Sequence, residues 1–189
     1  PEHGAYLVGL LDGTRTLPGL TVDTDLRWVL VQNLARLGIY GEDEIAAELE
    51  RDPTIKGQEE AAHARAARPY ASAKEQAWHD AVDRDDIANQ TQFKTIRGFW
   101  QAGQEDLLEP YVARYLDAAS WVWGKKGHEM AQYVLVGLFP RLLATRATGE
   151  TVRAWLDATQ PEPPVRRLVS EGLADLERAL KAQARDASA

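Results

Sequence analysis

The chain of 189 residues has no cysteine. Disulfides, iron–sulfur clusters, thiolate zinc sites and thiol nucleophiles are therefore all excluded. Positive charge is in deficit: 22 lysines and arginines stand against 29 acidic residues, for a net charge of −7. A nucleic-acid partner would call for a basic stripe, which this balance does not offer. Long apolar runs are missing, and the longest, YVLVGLF, is far too short to span a bilayer. No signal-peptide pattern is visible. No run alternates convincingly between apolar and polar residues, so no sheet is expected. The sequence starts at Pro1 without a methionine, which reads as a fragment or a processed product.

What is present is globular in composition, 44% hydrophobic and 27% charged. The length suits one domain, or part of a larger one. Helical period runs through almost every segment. TDLRWVLVQNLARLG places Leu26, Val29, Leu30, Leu34 and Leu37 on one face, with Thr24 or Asp25 as N-cap and Gly38 as stop. EDEIAAELERD follows and closes at Pro53, and an alanine-rich stretch ends at Pro69. SAKEQAWHDAV takes Ser72 as cap and buries Ala77, Trp78 and Val82. NQTQFKTIRGFW carries Phe93, Ile96, Phe99 and Trp100. EDLLEPYVARYLDAASWVW has the strongest stripe: Leu107, Leu108, Tyr111, Val112, Tyr115, Leu116 and Ala119. Pro110 sits near its start, where a missing N–H is tolerated. TGETVRAWLDA takes Thr148 as cap, and a last helix aligns Val165, Leu168, Val169, Leu173, Leu176 and Leu180. AYLVGLLDG near the start reads as the end of a helix. The expected fold is all-α, a HEAT/armadillo-like α-solenoid of stacked antiparallel helix pairs.

One stretch half-spells a zinc motif. GHEMAQYV has His128 and Glu129 in the places of H-E-x-x-H, but Gln132 stands where the second histidine belongs. The motif works because two histidines four apart share one helical face and one ion, while the glutamate polarises water. An amide is a poor partner for zinc beside imidazole. The slot for a distant glutamate ligand is Thr151, with Glu150 one residue short. His3, His63 and His79 have no ligand spacing to His128. The stretch reads as a helix start with His128 and Glu129 exposed and Met130, Tyr133, Val134 and Leu138 inward.

Several stretches match one family in order: LLDGTRTLPGLTVDTDLRWVLVQNLARLG, DEIAAELERDPTIKGQEEAAHARAARP, AKEQAWHDAV, QTQFKTIRGFWQAGQEDLLEPYVARYLDAASWVW and YVLVGLFP. Together they resemble the C-terminal helical domain of bacterial aminopeptidase N, the alanyl-aminopeptidase-like zinc metallopeptidases. The likeness runs from near Pro1 to about Ala158. It implies a helical-repeat domain over residues 1–160, truncated on its N-terminal side. Residues 161–189 then form a Pro-rich linker and a terminal helix packing on the same domain.

In the family, catalysis belongs to an upstream thermolysin-like domain with H-E-x-x-H, a distant glutamate, a G-A-M-E-N-type segment and a transition-state tyrosine. None of these occurs here, so no catalytic residue carries over and the chain alone is expected to be inactive. The resemblance implies no cofactor in this chain and zinc in the full-length protein. It implies an upstream catalytic domain and a peptide substrate as partners, with no nucleic acid and no membrane, and a cytoplasmic bacterial location. It also implies that this domain caps the active site and shapes a peptide chamber.

The connection IRGFWQAGQ supplies the candidate chamber contacts Arg97, Trp100, Gln101 and Gln104, at a helix-to-helix turn with two glycines. The bland alternative makes Phe99 and Trp100 core, Arg97 a solvated charge and the glutamines caps. Trp121 and Trp123 read as interhelical packing, Lys125 and Lys126 as a solvated helix end, and Glu42, Asp43 and Glu44 as an acidic first turn. Asp83, Asp85 and Asp86 lack the glycine and terminal glutamate of a calcium loop. Two other functions stay open at this point: a stand-alone helical-repeat module binding a peptide or protein, and a self-sufficient hydrolase using Asp83 and Asp86.

Overall fold

The structure is a computed structural model and describes residues 2–188. Its elements are α1 (Glu2–Asp12), α2 (Thr24–Arg36), α3 (Glu42–Arg51), α4 (Ile55–Ala67), α5 (Ala71–Trp78), a π-helical turn (His79–Asp83), α6 (Asn89–Phe99), α7 (Glu105–Leu108), α8 (Tyr111–Lys125), α9 (His128–Gly137), α10 (Arg146–Thr159) and α11 (Pro163–Asp186). Among the described residues there is no strand, so the expected all-α class is what forms. The chain divides into two compact units, Pro1–Gln101 and Ala102–Ala189.

In the first unit, α2, α4 and α6 pack in succession, with α1 against α2, and α3 and α5 against α4. Small side chains make the α4–α6 contact close. Gly57, Ala61, Ala64, Ala66 and Ala67 are the buried positions of α4. Opposite them lies Gly98 of α6. A Cβ added there would sit 2.4 Å from the His63 carbonyl oxygen and 3.0 Å from the Ala66 Cβ. The core continues through Leu10 and Leu11 of α1, Trp28, Leu30, Val31, Leu34 and Ala35 of α2, and Ile45 of α3.

The inward face of α2 differs from the expected one. Val29 and Leu37 are exposed, at 50% and 46%, whereas Trp28, Val31 and Ala35 are buried. The cap is Asp23 rather than Thr24 or Asp25: its carboxylate accepts the Leu26 N–H at 2.9 Å. Gly38 does follow the helix, with φ +69°, a left-handed stop that suits glycine. Two other caps also lie upstream of their expected positions. Ser72 is inside α5, whose N-cap is Tyr70. Thr145, not Thr148, caps α10 and accepts the Thr148 N–H at 3.1 Å.

In the second unit, α8 packs on α9 and α10, and α11 packs on α9 and α10. The short α7 ends at Leu108 with Glu109 as its C-cap, and Pro110 stands at the N-cap of α8, so the expected single helix is two. Tyr115 is fully buried, donates its hydroxyl to the Leu135 carbonyl at 2.8 Å, and meets Phe139 edge-on at 5.6 Å. Phe139 in turn lies over Gly172, where a Cβ would come within 2.4 Å of its ring. The stripe of α11 is buried at Val165, Leu168, Val169, Leu173 and Leu176, and only half-buried at Leu180.

Candidate functional site

Arg97 is exposed on α6, with its guanidinium 5.8 Å from the Phe93 ring centroid. Trp100 follows the last residue of α6, half-buried, with Phe99 edge-on to it at 5.3 Å. The Trp100 indole N–H is buried and has no acceptor among the described residues. Gln101 turns back and donates its amide to the Gly98 carbonyl at 2.9 Å. Gln104 is 5% exposed, and its carbonyl accepts the N–H groups of Leu107 and Leu108 at the start of α7. Arg97, Trp100 and Gln101 belong to the first unit and Gln104 to the second.

The turn after α6 is held by a residue that no sequence motif singles out. Lys74 of α5 is 0% exposed. Its ammonium donates to the carbonyls of Ala66 and Phe99, both at 2.8 Å, and lies 5.6 Å from the centre of the Phe99 ring. Those carbonyls belong to the last turns of α4 and α6, where a helix leaves acceptors unfilled and where a cation is favoured. Among the described residues no carboxylate is paired with it, and burial pushes its ammonium down to about 7.

Beside this joint the first unit has a cavity of about 410 Å³. Alanines of α4 and α5 form part of its lining, with Arg65 and Arg68 at one side. Both arginines pair with Glu42, at 2.7 and 3.2 Å. Asp80 lines the cavity too, so its two cations are matched by two carboxylates.

The half-motif at the start of α9 is a surface feature. His128, Glu129 and Gln132 are exposed, while Met130, Val134 and Leu138 are buried. Tyr133 is half-buried rather than inward, and its hydroxyl donates to Glu129 at 3.2 Å. The His128 ring stacks on Trp123 at 5.0 Å. Among the described residues no group of three or more His, Asp or Glu is placed to hold a metal ion. The aspartates after α5 are occupied as well. Arg84 grips Asp86 through two hydrogen bonds of 2.9 and 2.7 Å, which hold that carboxyl down to about 2. Asp83 faces His79 at 3.3 Å. One further reading is corrected: Lys126 is buried, not a solvated partner of the exposed Lys125.

The residues that carry the resemblance prove to be architectural. In DTDLRW, Asp23 caps α2. Arg27 grips Glu48 of α3 through two bonds of 2.7 and 2.6 Å, and also donates to the Leu11 carbonyl at 2.9 Å. The Trp28 indole donates to Asp52 at 2.9 Å, and Asp52 accepts the Thr54 hydroxyl at 2.7 Å. Lys74, Trp78 and Phe99, from the later stretches, meet around one joint, the two rings 5.8 Å apart.

Comparison with known proteins agrees with that pattern. A family model described as the ERAP1-like C-terminal domain matches residues 1–178. Aminopeptidase N of Streptomyces lividans is 49% identical over 189 residues, all of this chain and 22% of that relative. The chain thus spans about a fifth of the length of the curated relative it matches. It belongs to the ERAP1-like C-terminal domain family and is the counterpart of the C-terminal part of an aminopeptidase N.

Proposed function

We propose that this chain is the accessory helical domain of a zinc aminopeptidase N, capping the active site and shaping the chamber that receives peptides. The observation that supports this most is the extent of the family match, which covers residues 1–178. The full-length protein would remove N-terminal amino acids from peptides in the bacterial cytoplasm. Its zinc would be held elsewhere in the polypeptide, since the described residues include no ligand set. No helix among the described residues is long and apolar enough to cross a membrane. The helices would continue as an α-solenoid, with residues 1–160 as its repeat region and 161–189 as linker and terminal helix.

Arg97, Trp100, Gln101 and Gln104 are the proposed peptide contacts. Arg97 is the exposed cation of the group and suits the distal carboxylate of a peptide. The test is steady-state kinetics of the full-length protein with Arg97→Ala. A raised KM for tripeptides and longer substrates is expected, with hydrolysis of a single aminoacyl anilide unchanged. Equal kinetics on both substrate types would remove Arg97 from the chamber. Absence of aminopeptidase activity in the full-length protein would end the reading as a whole.

A further inference from the structure

Among the described residues, Lys74 is the one lysine that is fully enclosed, and no carboxylate is paired with it. Such a group is disfavoured in a core unless something specific holds it. Here the holders are two peptide carbonyls. The last carbonyls of α6 are divided between two side chains: Gln101 takes Gly98 and Lys74 takes Phe99. The same ammonium takes Ala66 at the end of α4. One side chain therefore bridges two helix ends that approach closely across Gly98. The residue immediately after the Phe99 carbonyl is Trp100.

We propose that Lys74 is a pH-sensitive joint, which ties the end of α4 to the end of α6 and positions the Trp100–Gln101 turn. The geometry carries this: full enclosure, two acceptors at 2.8 Å, and helix ends that these donors complete. The charged groups of the neighbouring elements leave the ammonium alone. They are His63 and Arg65 on α4, Arg68 just after it, Lys94 and Arg97 on α6, and Asp80 on the π-helical turn. Burial is the sole cause of its displacement. His63 is itself pushed down to about 4 by burial and stays neutral above pH 7.

The sign follows from linkage. The closed joint gives up its proton at about 7. An opened joint, with Lys74 in water, keeps the proton up to the ordinary lysine value of about 10.4. Between these values the opened form binds more protons, so opening becomes harder as pH rises and is easiest below 7.

Hydrogen exchange of the full-length protein, corrected for intrinsic exchange chemistry, reads this directly. Protection of residues 64–70 and 96–104 should rise between pH 7 and 9, by up to about tenfold per pH unit. Helices of the second unit should show no such rise. In Lys74→Met the rise should vanish, with protection of both segments lower by at least about tenfold at pH 9, because two carbonyls lose their donor. A flat profile in the unmodified protein, an equal rise in every helix, or a rise that survives in Lys74→Met would each overturn the proposal. If Lys74→Met does not fold, the profile of the unmodified protein decides alone.

Discussion

Arg27 shows how a charged residue can hold helices together without any catalytic part. Its guanidinium joins α2 to Glu48 of α3, and Glu48 is only 5% exposed. Replacing Arg27 with methionine leaves that buried carboxylate with only the Arg51 guanidinium, at 3.8 Å, so a loss of about 3 kcal/mol is expected. Denaturant melts measure it, and a second change, Glu48→Gln, should recover part of the loss. Glu60 makes a pH-dependent contribution of known sign. Burial pushes its carboxyl up, but hydrogen bonds from Lys94 and Gln32 outweigh that and hold it below the usual value. A lowered carboxylate contributes fully above its unfolded value of about 4.3 and loses its contribution as pH falls through its folded value. Glu60→Gln should therefore flatten the acid side of the stability profile and leave the slope above pH 6 unchanged. Neither contact is legible in the sequence, because both partners lie more than twenty residues apart and pair through tertiary geometry. Lys74 is harder still: lysine is among the least expected core residues, and only the two helix ends explain it.

At the scale of elements, the helices themselves were legible. The stripes of α8 and α11 place their large apolar residues inward as expected, because each is long and strongly periodic. Caps were less legible: Asp23, Tyr70 and Thr145 each precede the expected residue. A cap is fixed by where the backbone turns, and neighbouring Thr, Ser and Asp residues all offer suitable oxygens. The face of α2 was misread because Val29 and Leu37 mimic a core stripe, while the indole of Trp28 is steered inward by Asp52. The π-helical turn has no periodic signature at all. It frees carbonyls that Gln92 takes up, at 3.2 Å from Asp80 and 2.7 Å from Arg84. Two substitutions test the elements. Gly98→Ala should destabilise by about 1–3 kcal/mol in thermal melts, since its methyl would press on the His63 carbonyl. Tyr115→Phe should cost about 1 kcal/mol, the net value of one buried hydroxyl bond to Leu135.

For the molecule as a whole, the all-helical class and the family were legible. Arg97 is exposed, and Gln104 is enclosed at the N-cap of α7, as the alternative reading of the glutamines as caps expects. The isolated 189-residue chain should retain less than one equivalent of zinc after dialysis and release no product from aminoacyl anilides. A stoichiometric ion lost on replacing His128 would contradict this. The end of α11 has a practical use. The last buried residue of that helix is Leu176, and the family match ends at residue 178. Residues 181–188 are all exposed, yet the helix runs to Asp186. These turns make an outrigger of regular geometry, rising about 1.5 Å per residue. A fluorophore or surface tether fixed there would stand at a known distance and direction from the core of its unit, with no packed side chain disturbed.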